Sequence, residues 1–341
     1  MGGDNAPKII IEGANIIAKS RSDAHFLLYG DENIITPLLS QNPYLKKRAT
    51  LFHTSEAISS HEKPSVALRK GANSSMRLAI NSVKNHEADA IVSAGNTGAL
   101  MAISKIVLRP LPSIDRPAIV TYMPNKKKTA TVMLDMGANV DCNSDILFQF
   151  AVMGNAFAKA VLKIEKPSIG ILNVGSEELK GSDAVKAAAL LIKESDLSDN
   201  FYGYVEGDDI TKGTVDVVVT DGFCGNITLK AIEGTAKMVS STLKEGFSSS
   251  ILGKIGYLIS SKALKSAIKR LDPRMYNGAM LVGLNGIVVK SHGSADEISF
   301  ANAIKVAASL VEDKINDKIT GEIKASNNTE NNNQETLEED D

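Results

Sequence analysis

Short apolar runs alternate along the 341-residue chain with stretches whose apolar positions recur at helical spacing. The runs occupy residues 25–30, 49–53, 90–93, 118–123, 129–135, 168–173, 201–205 and 215–220. Most are bounded by Gly, Pro, Asn, Asp or Ser, as buried strands are. Strand and helix in alternation predict an α/β fold of three layers, α/β/α, whose mainly parallel sheet carries helices on both faces. In such folds ligands bind beyond the carboxyl ends of the strands. Four strand ends run into turns rich in Gly, Asn or Asp, at 93–98, 135–139, 173–181 and 221–226, and the pattern predicts all four on one edge of the sheet.

The last of these turns is the clearest. The β-branched run at 215–220 is broken by Asp221-Gly222-Phe223-Cys224-Gly225-Asn226 and resumes at helical spacing in Ile227-Thr228-Leu229-Lys230. A strand that feeds a helix through glycines suits an anion. Glycine has no Cβ to block close approach, and the first helical turn offers unpaired N–H groups and the positive end of the dipole. Asn226 falls at the mouth of the turn, either as an amide donor or as a helix N-cap. Many α/β proteins turn from strand to helix in this way for packing alone.

No internal repeat is present. Residues 1–324 read as a single α/β domain, and from about Ala325 the chain turns Asn- and Glu-rich, the composition of a disordered acidic tail. Within the domain, residues 251–271 are of another kind. Ile251, Ile255, Leu258, Ile259, Leu264, Ile268 and Leu271 recur at helical spacing, and Lys254, Lys262, Lys265, Lys269 and Arg270 are unrelieved by any acid. Such a basic amphipathic segment, within a helical projection spanning about 235–275, suits an anionic membrane surface or an acidic partner. Packing against the domain itself or a second subunit would use the apolar side equally well.

Charge changes this picture little. Five of the acids lie in residues 331–341, so the formal net charge of −2 becomes +3 for residues 1–330. That is too small for bulk attraction to nucleic acid and is compatible with anionic small ligands. Cys142 and Cys224 form neither a disulfide framework nor a CxxC signature, which points to a reducing cytosol. Cys142 reads as a small core residue, while Cys224 beside a helix N-terminus could have a lowered pKa. His25, His53, His61, His86 and His292 lack metal-ligand spacing, so no metal is expected. No apolar run approaches the roughly 18 residues of a membrane span, and no signal-peptide pattern opens the chain. A Gly-x-Gly-x-x-Gly opening a helix, with an acid about 20 residues on, is also missing, which argues against a nicotinamide-dependent dehydrogenase.

Read in order, Met1-Gly2-Gly3-Asp4-Asn5-Ala6-Pro7, Ser74-Ser75-Met76, Ser93-Ala94-Gly95-Asn96-Thr97-Gly98, Leu134-Asp135-Met136-Gly137-Ala138-Asn139, Gly175-Ser176-Glu177-Glu178-Leu179-Lys180-Gly181 and Asp221 to Asn226 form a series. It resembles the successive motifs of the bacterial phosphate acyltransferase family of phospholipid synthesis, PlsX, from residue 1 to about 310. The resemblance implies a fold like that of isocitrate dehydrogenases and phosphotransacetylases, with no cofactor. It also implies transfer of a fatty acyl group from acyl carrier protein to inorganic phosphate, by a homodimer at the membrane surface. The acyl phosphate would supply a membrane glycerol-3-phosphate acyltransferase.

By the same resemblance Lys180 and Asn226 are the catalytic positions. Asp4, Asn5, Ser75, Gly95, Asn96, Thr97, Gly98, Gly137, Asn139, Gly222 and Gly225 are the substrate and phosphate positions. The residue types suit the chemistry. Glycine loops at helix N-termini hold phosphate, Lys180 offers a full positive charge, and Asn226 a neutral amide for the oxyanion. Phosphate is itself the nucleophile, so no residue need become acylated. Cys224 stands where the family commonly has Thr, and His292 in Ser291-His292-Gly293 reads as a turn residue or as part of the site. In the family an apolar strand precedes the first motif, so a chain opening at Met1 is expected to leave a slot in the sheet and to have its true start upstream.

Overall fold

All eight apolar runs become strands, and the sheet adds two more. The computed structural model describes residues 1–269 and 276–324, with residues 263–269 described in backbone only. The expected tail, from 325 on, lies outside the described residues. The strands are β1 (Phe26–Gly30), β2 (Ala49–His53), β3 (Ala90–Ser93), β4 (Ala118–Pro124), β5 (Ala130–Leu134), β6 (Ile169–Leu172), β7 (Phe201–Val205), β8 (Val217–Val219), β9 (Ala279–Val282) and β10 (Ile287–Lys290). The helices are α1 (Lys8–Ser20), α2 (Glu32–Ser40), α3 (Pro43–Lys46), α4 (Pro64–Lys70), α5 (Ser75–Lys84), α6 (Thr97–Leu108), α7 (Ser144–Phe157), α8 (Asp183–Lys193), α9 (Gly207–Lys212), α10 (Gly222–Ser248), α11 (Ile251–Lys269) and α12 (Glu297–Glu312).

Strands β3 to β10 form one sheet in the order β3-β10-β9-β4-β5-β8-β6-β7. Its two flanks are parallel, and the centre, β10-β9-β4-β5, is antiparallel. Apolar side chains leave each strand alternately to the two faces. Val217 and Val219 join Phe150, Met153 and Phe157 of α7 on one face, while Val218 joins Ile80 of α5 and Leu100 and Ile103 of α6 on the other. Both faces are therefore covered, which makes the strands continuously apolar rather than alternating. The run Ser144–Leu162, α7 with its π-helical extension, is apolar and long enough to cross a membrane by composition alone, contrary to the sequence expectation. Here it is the central core helix, with Phe150, Ala156 and Phe157 fully buried.

The antiparallel centre corrects the expectation that four glycine turns share one edge. Counting across the ladders, β3 runs opposite to β5, β8 and β6. The halves are staggered along β4, so their carboxyl ends meet in its middle. Leu134, which ends β5, pairs with Val120, and Val120 pairs with Met280. Lys290, which ends β10, pairs one row away with Ala279 and with Ser93, the end of β3. Carboxyl ends arriving from opposite directions thus face each other over β4.

β1 and β2 form a separate parallel pair. Among the described residues β1 and β3 are each paired on one side only, and a cavity of about 550 Å3 lies between them, walled by Phe26, Leu28, Ile91, Val92, Phe300 and Met1 among others.

Candidate active site

A cavity of about 910 Å3 opens on the α5/α6 face of β4, over Ile119 and Thr121. The converging carboxyl ends wall it. The β3–α6 turn brings Gly95, Asn96, Thr97 and Gly98, the loop after β5 brings Met136, Gly137 and Ala138, and α10 brings Asn226, Leu229 and Lys230. Asp4 enters from the first loop, and Lys290 and His292 from the end of β10.

Asp135 sets the geometry of the α10 side. Its fully buried carboxylate accepts hydrogen bonds from Ile119 N (2.8 Å), Ala138 N (3.1 Å), Asn139 N (2.6 Å) and Asn139 Nδ2 (2.9 Å). Burial pushes this carboxyl up, and the four donors oppose that by favouring its charged form. The loop so pinned receives α10. Gly222 N donates to Asn139 O at 2.7 Å, and the Asp221 side chain caps the helix by accepting from Cys224 N at 2.7 Å. Asn226 therefore lies past the cap, inside the first turns, and its amide is free of capping duty. It lies against Gly137, whose φ of +121° and missing side chain leave room for it: a Cβ there would stand 3.4 Å from Asn226 Cβ.

On the opposite wall Asn96 is committed to structure. Its Oδ1 accepts from Ala99 N, capping α6, and its Nδ2 donates to the carbonyls of Ser59, Ser60 and Glu62. What α6 offers a ligand is then its first-turn N–H groups at Thr97 and Gly98.

Of the residues singled out in the sequence, Asp4, Gly95, Asn96, Thr97, Gly98, Gly137 and Asn226 line this cavity, while Asn5, Ser75, Asn139, Gly222, Gly225 and Lys180 do not. Asn5 O accepts from Ile9 N at the start of α1, and Ser75 is buried at the start of α5. Asn139, Gly222 and Gly225 form the seat of α10. Lys180 sits half-exposed on the loop after β6, paired with Glu177 at 2.7 Å. That contact raises the Lys180 pKa and lowers that of Glu177. β6 and β8 are neighbours and parallel, so the Lys180 loop leaves the sheet beside the start of α10.

The Cys224 thiol does not fit the expectation of a lowered pKa. Partial burial pushes it up, and the Asp221 carboxylate that caps the helix adds to the rise. Cys142 is buried, with its thiol pushed up to about 12 by burial. Among the described residues no three His, Cys, Asp or Glu side chains gather as a metal site would need. Sequence reading missed Lys230, Tyr276, Asn277 and Lys290 as cavity walls. Three of these come from the segment around β9 and β10, whose strands were not foreseen.

Beyond its first turns α10 leaves the body. Only Gly222 and Gly225 of its 27 residues are buried. It packs on α11, with Phe247 and Tyr257 edge to face at 5.6 Å. The hairpin shows Met238, Ile251, Leu252 (81%), Leu258 (74%) and Ile259 (81%) to the outside, beside exposed Lys254 and Lys262. The Lys265 and Lys269 side chains, and Arg270, lie outside the described residues.

This architecture recurs in solved structures. A branched-chain phosphotransacylase from Enterococcus faecalis superposes with a TM-score of 0.54 over 91% of this chain and 97% of its own, at 13% identity. A phosphotransacetylase from Streptococcus pyogenes does so with 0.51 over 84% and 94%, at 16% identity. At such identities the likeness is one of fold. Sequence relatives are far nearer. The phosphate acyltransferase of Paramagnetospirillum magneticum is 56% identical over 94% of this chain and 92% of its own length, and that of Rhodospirillum centenum 52% identical over 95% and 91%. Residues 1–318 match the family described as fatty acid synthesis protein. The chain belongs to that family, and within it to the phosphate acyltransferases.

Proposed function

We propose that the protein transfers a fatty acyl group from acyl carrier protein to inorganic phosphate, releasing an acyl phosphate and the carrier's free thiol. One observation carries this reading: the 910 Å3 cavity joins glycine turns and a helix N-terminus, which suit phosphate, to an apolar wall of Met101, Ile119, Met136 and Leu229, which suits an acyl chain. A phosphate oxygen attacks the thioester carbonyl carbon, the C–S bond breaks, and the thiolate takes up a proton. Holding both substrates in attacking geometry supplies much of the rate. The Asn226 amide is the donor for the oxygen on which charge develops. Lys180, on the neighbouring loop, is the cation at the rim, and Asp4, Gly95, Thr97, Gly98 and Gly137 shape the phosphate end. Asn5, Ser75, Asn139, Gly222 and Gly225 support these positions from behind.

In this reading the protein is cytoplasmic and rests on the membrane through the α10–α11 hairpin, whose outward apolar residues and Lys254 and Lys262 match an anionic interface. The family resemblance adds a homodimer and hand-over of acyl phosphate to a membrane glycerol-3-phosphate acyltransferase. Purified protein is incubated with long-chain acyl-acyl carrier protein and phosphate, and acyl phosphate is trapped as its hydroxamate. Phosphate-dependent hydroxamate is the expected product; hydrolysis to free fatty acid alone would refute the reading.

A further inference from the structure

Lys290 is the last residue of β10, where the two halves of the sheet meet over β4. Its partly buried side chain lines the cavity, and Nζ donates to the carbonyl of Ser291. The loops beside it are drawn tightly together. Asp4 N donates to Gly293 O at 2.9 Å, and a Cβ on Gly3 would come within 3.2 Å of both Ala94 O and Gly293 O. Other charged groups also line the cavity. Lys230 is paired with Glu233 at 2.9 Å, Lys237 lies on the same helix, and Asp4 is the carboxylate facing Lys290. His292 Nδ1 lies within hydrogen-bond reach of Ser294 Oγ (2.9 Å) and Ser294 N (3.3 Å). Burial pushes the Lys290 ammonium down to about 8, Asp4 opposes the fall, and Lys230 adds to it. A cation held in so dry a place gains most from an anion brought against it.

We propose that Lys290 is the phosphate-binding cation of this cavity, gripping inorganic phosphate together with the first-turn N–H groups of α6 at Thr97 and Gly98. This rests on the acyl-phosphate reading and assigns the phosphate end of the same site to a residue other than Lys180. Removing a partly buried ammonium in favour of an apolar chain of similar length need not harm folding. Lys290→Met and Lys290→Arg are therefore the informative variants, with Lys290→Gln replacing Met if the Met variant fails to fold.

Phosphate binding is measured by calorimetry without acyl donor, alongside KM for phosphate and for acyl carrier substrate. Lys290→Met is expected to weaken phosphate binding at least about tenfold and to raise KM for phosphate alike, while KM for the acyl donor stays within about twofold. The wild-type charge is present below about pH 8 and lost above it, so phosphate affinity falls between pH 7 and 9. The permanently charged Lys290→Arg restores most of the affinity and flattens that fall. Unchanged phosphate affinity in Lys290→Met, or in Lys290→Gln in its place, would overturn the assignment even if acyl phosphate is made normally. Lys290-dependent phosphate binding without any acyl phosphate formation would instead overturn the functional reading and leave the assignment standing.

Discussion

Gly225 stands so close to Asp135 that a Cβ on it would lie 1.9 Å from the Asp135 carbonyl oxygen. The neighbour is backbone, held by a buried carboxylate with four donors, and cannot step aside. Gly225→Ala must push α10 off its seat. We expect a loss of about 1 to 3 kcal/mol in denaturant unfolding, the usual range for overpacking. A fall in kcat should accompany it, because Asn226 is the next residue. Full activity and stability in Gly225→Ala would mean that the seat is soft.

Asn226→Ala tests the amide itself. With Asp221 as the cap, losing the Asn226 side chain leaves α10 intact. A missing oxyanion-type donor lowers kcat by about 100- to 1,000-fold. Circular dichroism should be unchanged, and a rate within about threefold of wild type, against that scale, would remove Asn226 from the chemistry.

Lys180→Ala separates rim from cavity. The ion pair with Glu177 is exposed, so the unfolding midpoint should not move. Turnover should drop without a matching rise in KM for phosphate, the reverse of the Lys290→Met pattern. Identical kinetic signatures for the two lysines would show that they share one role.

Stability should also report Lys290. Its folded pKa, about 8, lies below the ordinary lysine value of 10.5. Between these limits the unfolded chain holds more protons than the folded one, so this residue makes the protein more stable as pH rises from 8 toward 10.5. The slope for one proton is at most about 1.4 kcal/mol per pH unit. Comparing wild type with Lys290→Met across that window isolates it, and parallel curves would place the ammonium in ordinary solvent.

The hairpin can be tested on vesicles. Lys254→Glu with Lys262→Glu should weaken flotation with anionic liposomes by about 1 kcal/mol or more per reversed charge. Leu258→Ser with Ile259→Ser should do the same on neutral ones. Unchanged flotation in both pairs would reassign the apolar face to a second subunit.

Much of the fold was legible because buried strands betray themselves as short apolar runs. β9 (Ala-Met-Leu-Val) and β10 (Ile-Val-Val-Lys) escaped notice because they are separated only by Gly283 to Gly286, with no helical stretch between them such as sets off the equally short β3 and β6. Nothing local says that they insert between β3 and β4, since that pairing joins residues nearly 200 apart. Their absence hid two things: the reversal of direction across the sheet, and Lys290, which at the end of an unrecognised strand looks like any surface lysine. Of the residues singled out in the sequence, Gly95, Gly98 and Gly137 lie on the cavity wall, where the backbone needs a residue without a side chain. Asn226 and Lys180 were singled out as catalytic through family resemblance alone, because one amide or one lysine has no periodicity; of the two, Asn226 lines the cavity and Lys180 does not.

The 27 residues of α10 have a mechanical consequence. At 1.5 Å per residue the helix extends about 40 Å, while Asn226 sits only about 6 Å from its anchored end at Gly222. If the hairpin swings about that seat, the helix acts as a lever with its short arm at the site, so a displacement at the tip reaches Asn226 reduced to about a sixth. A displacement of about 6 Å at the tip would then move the amide by only about 1 Å.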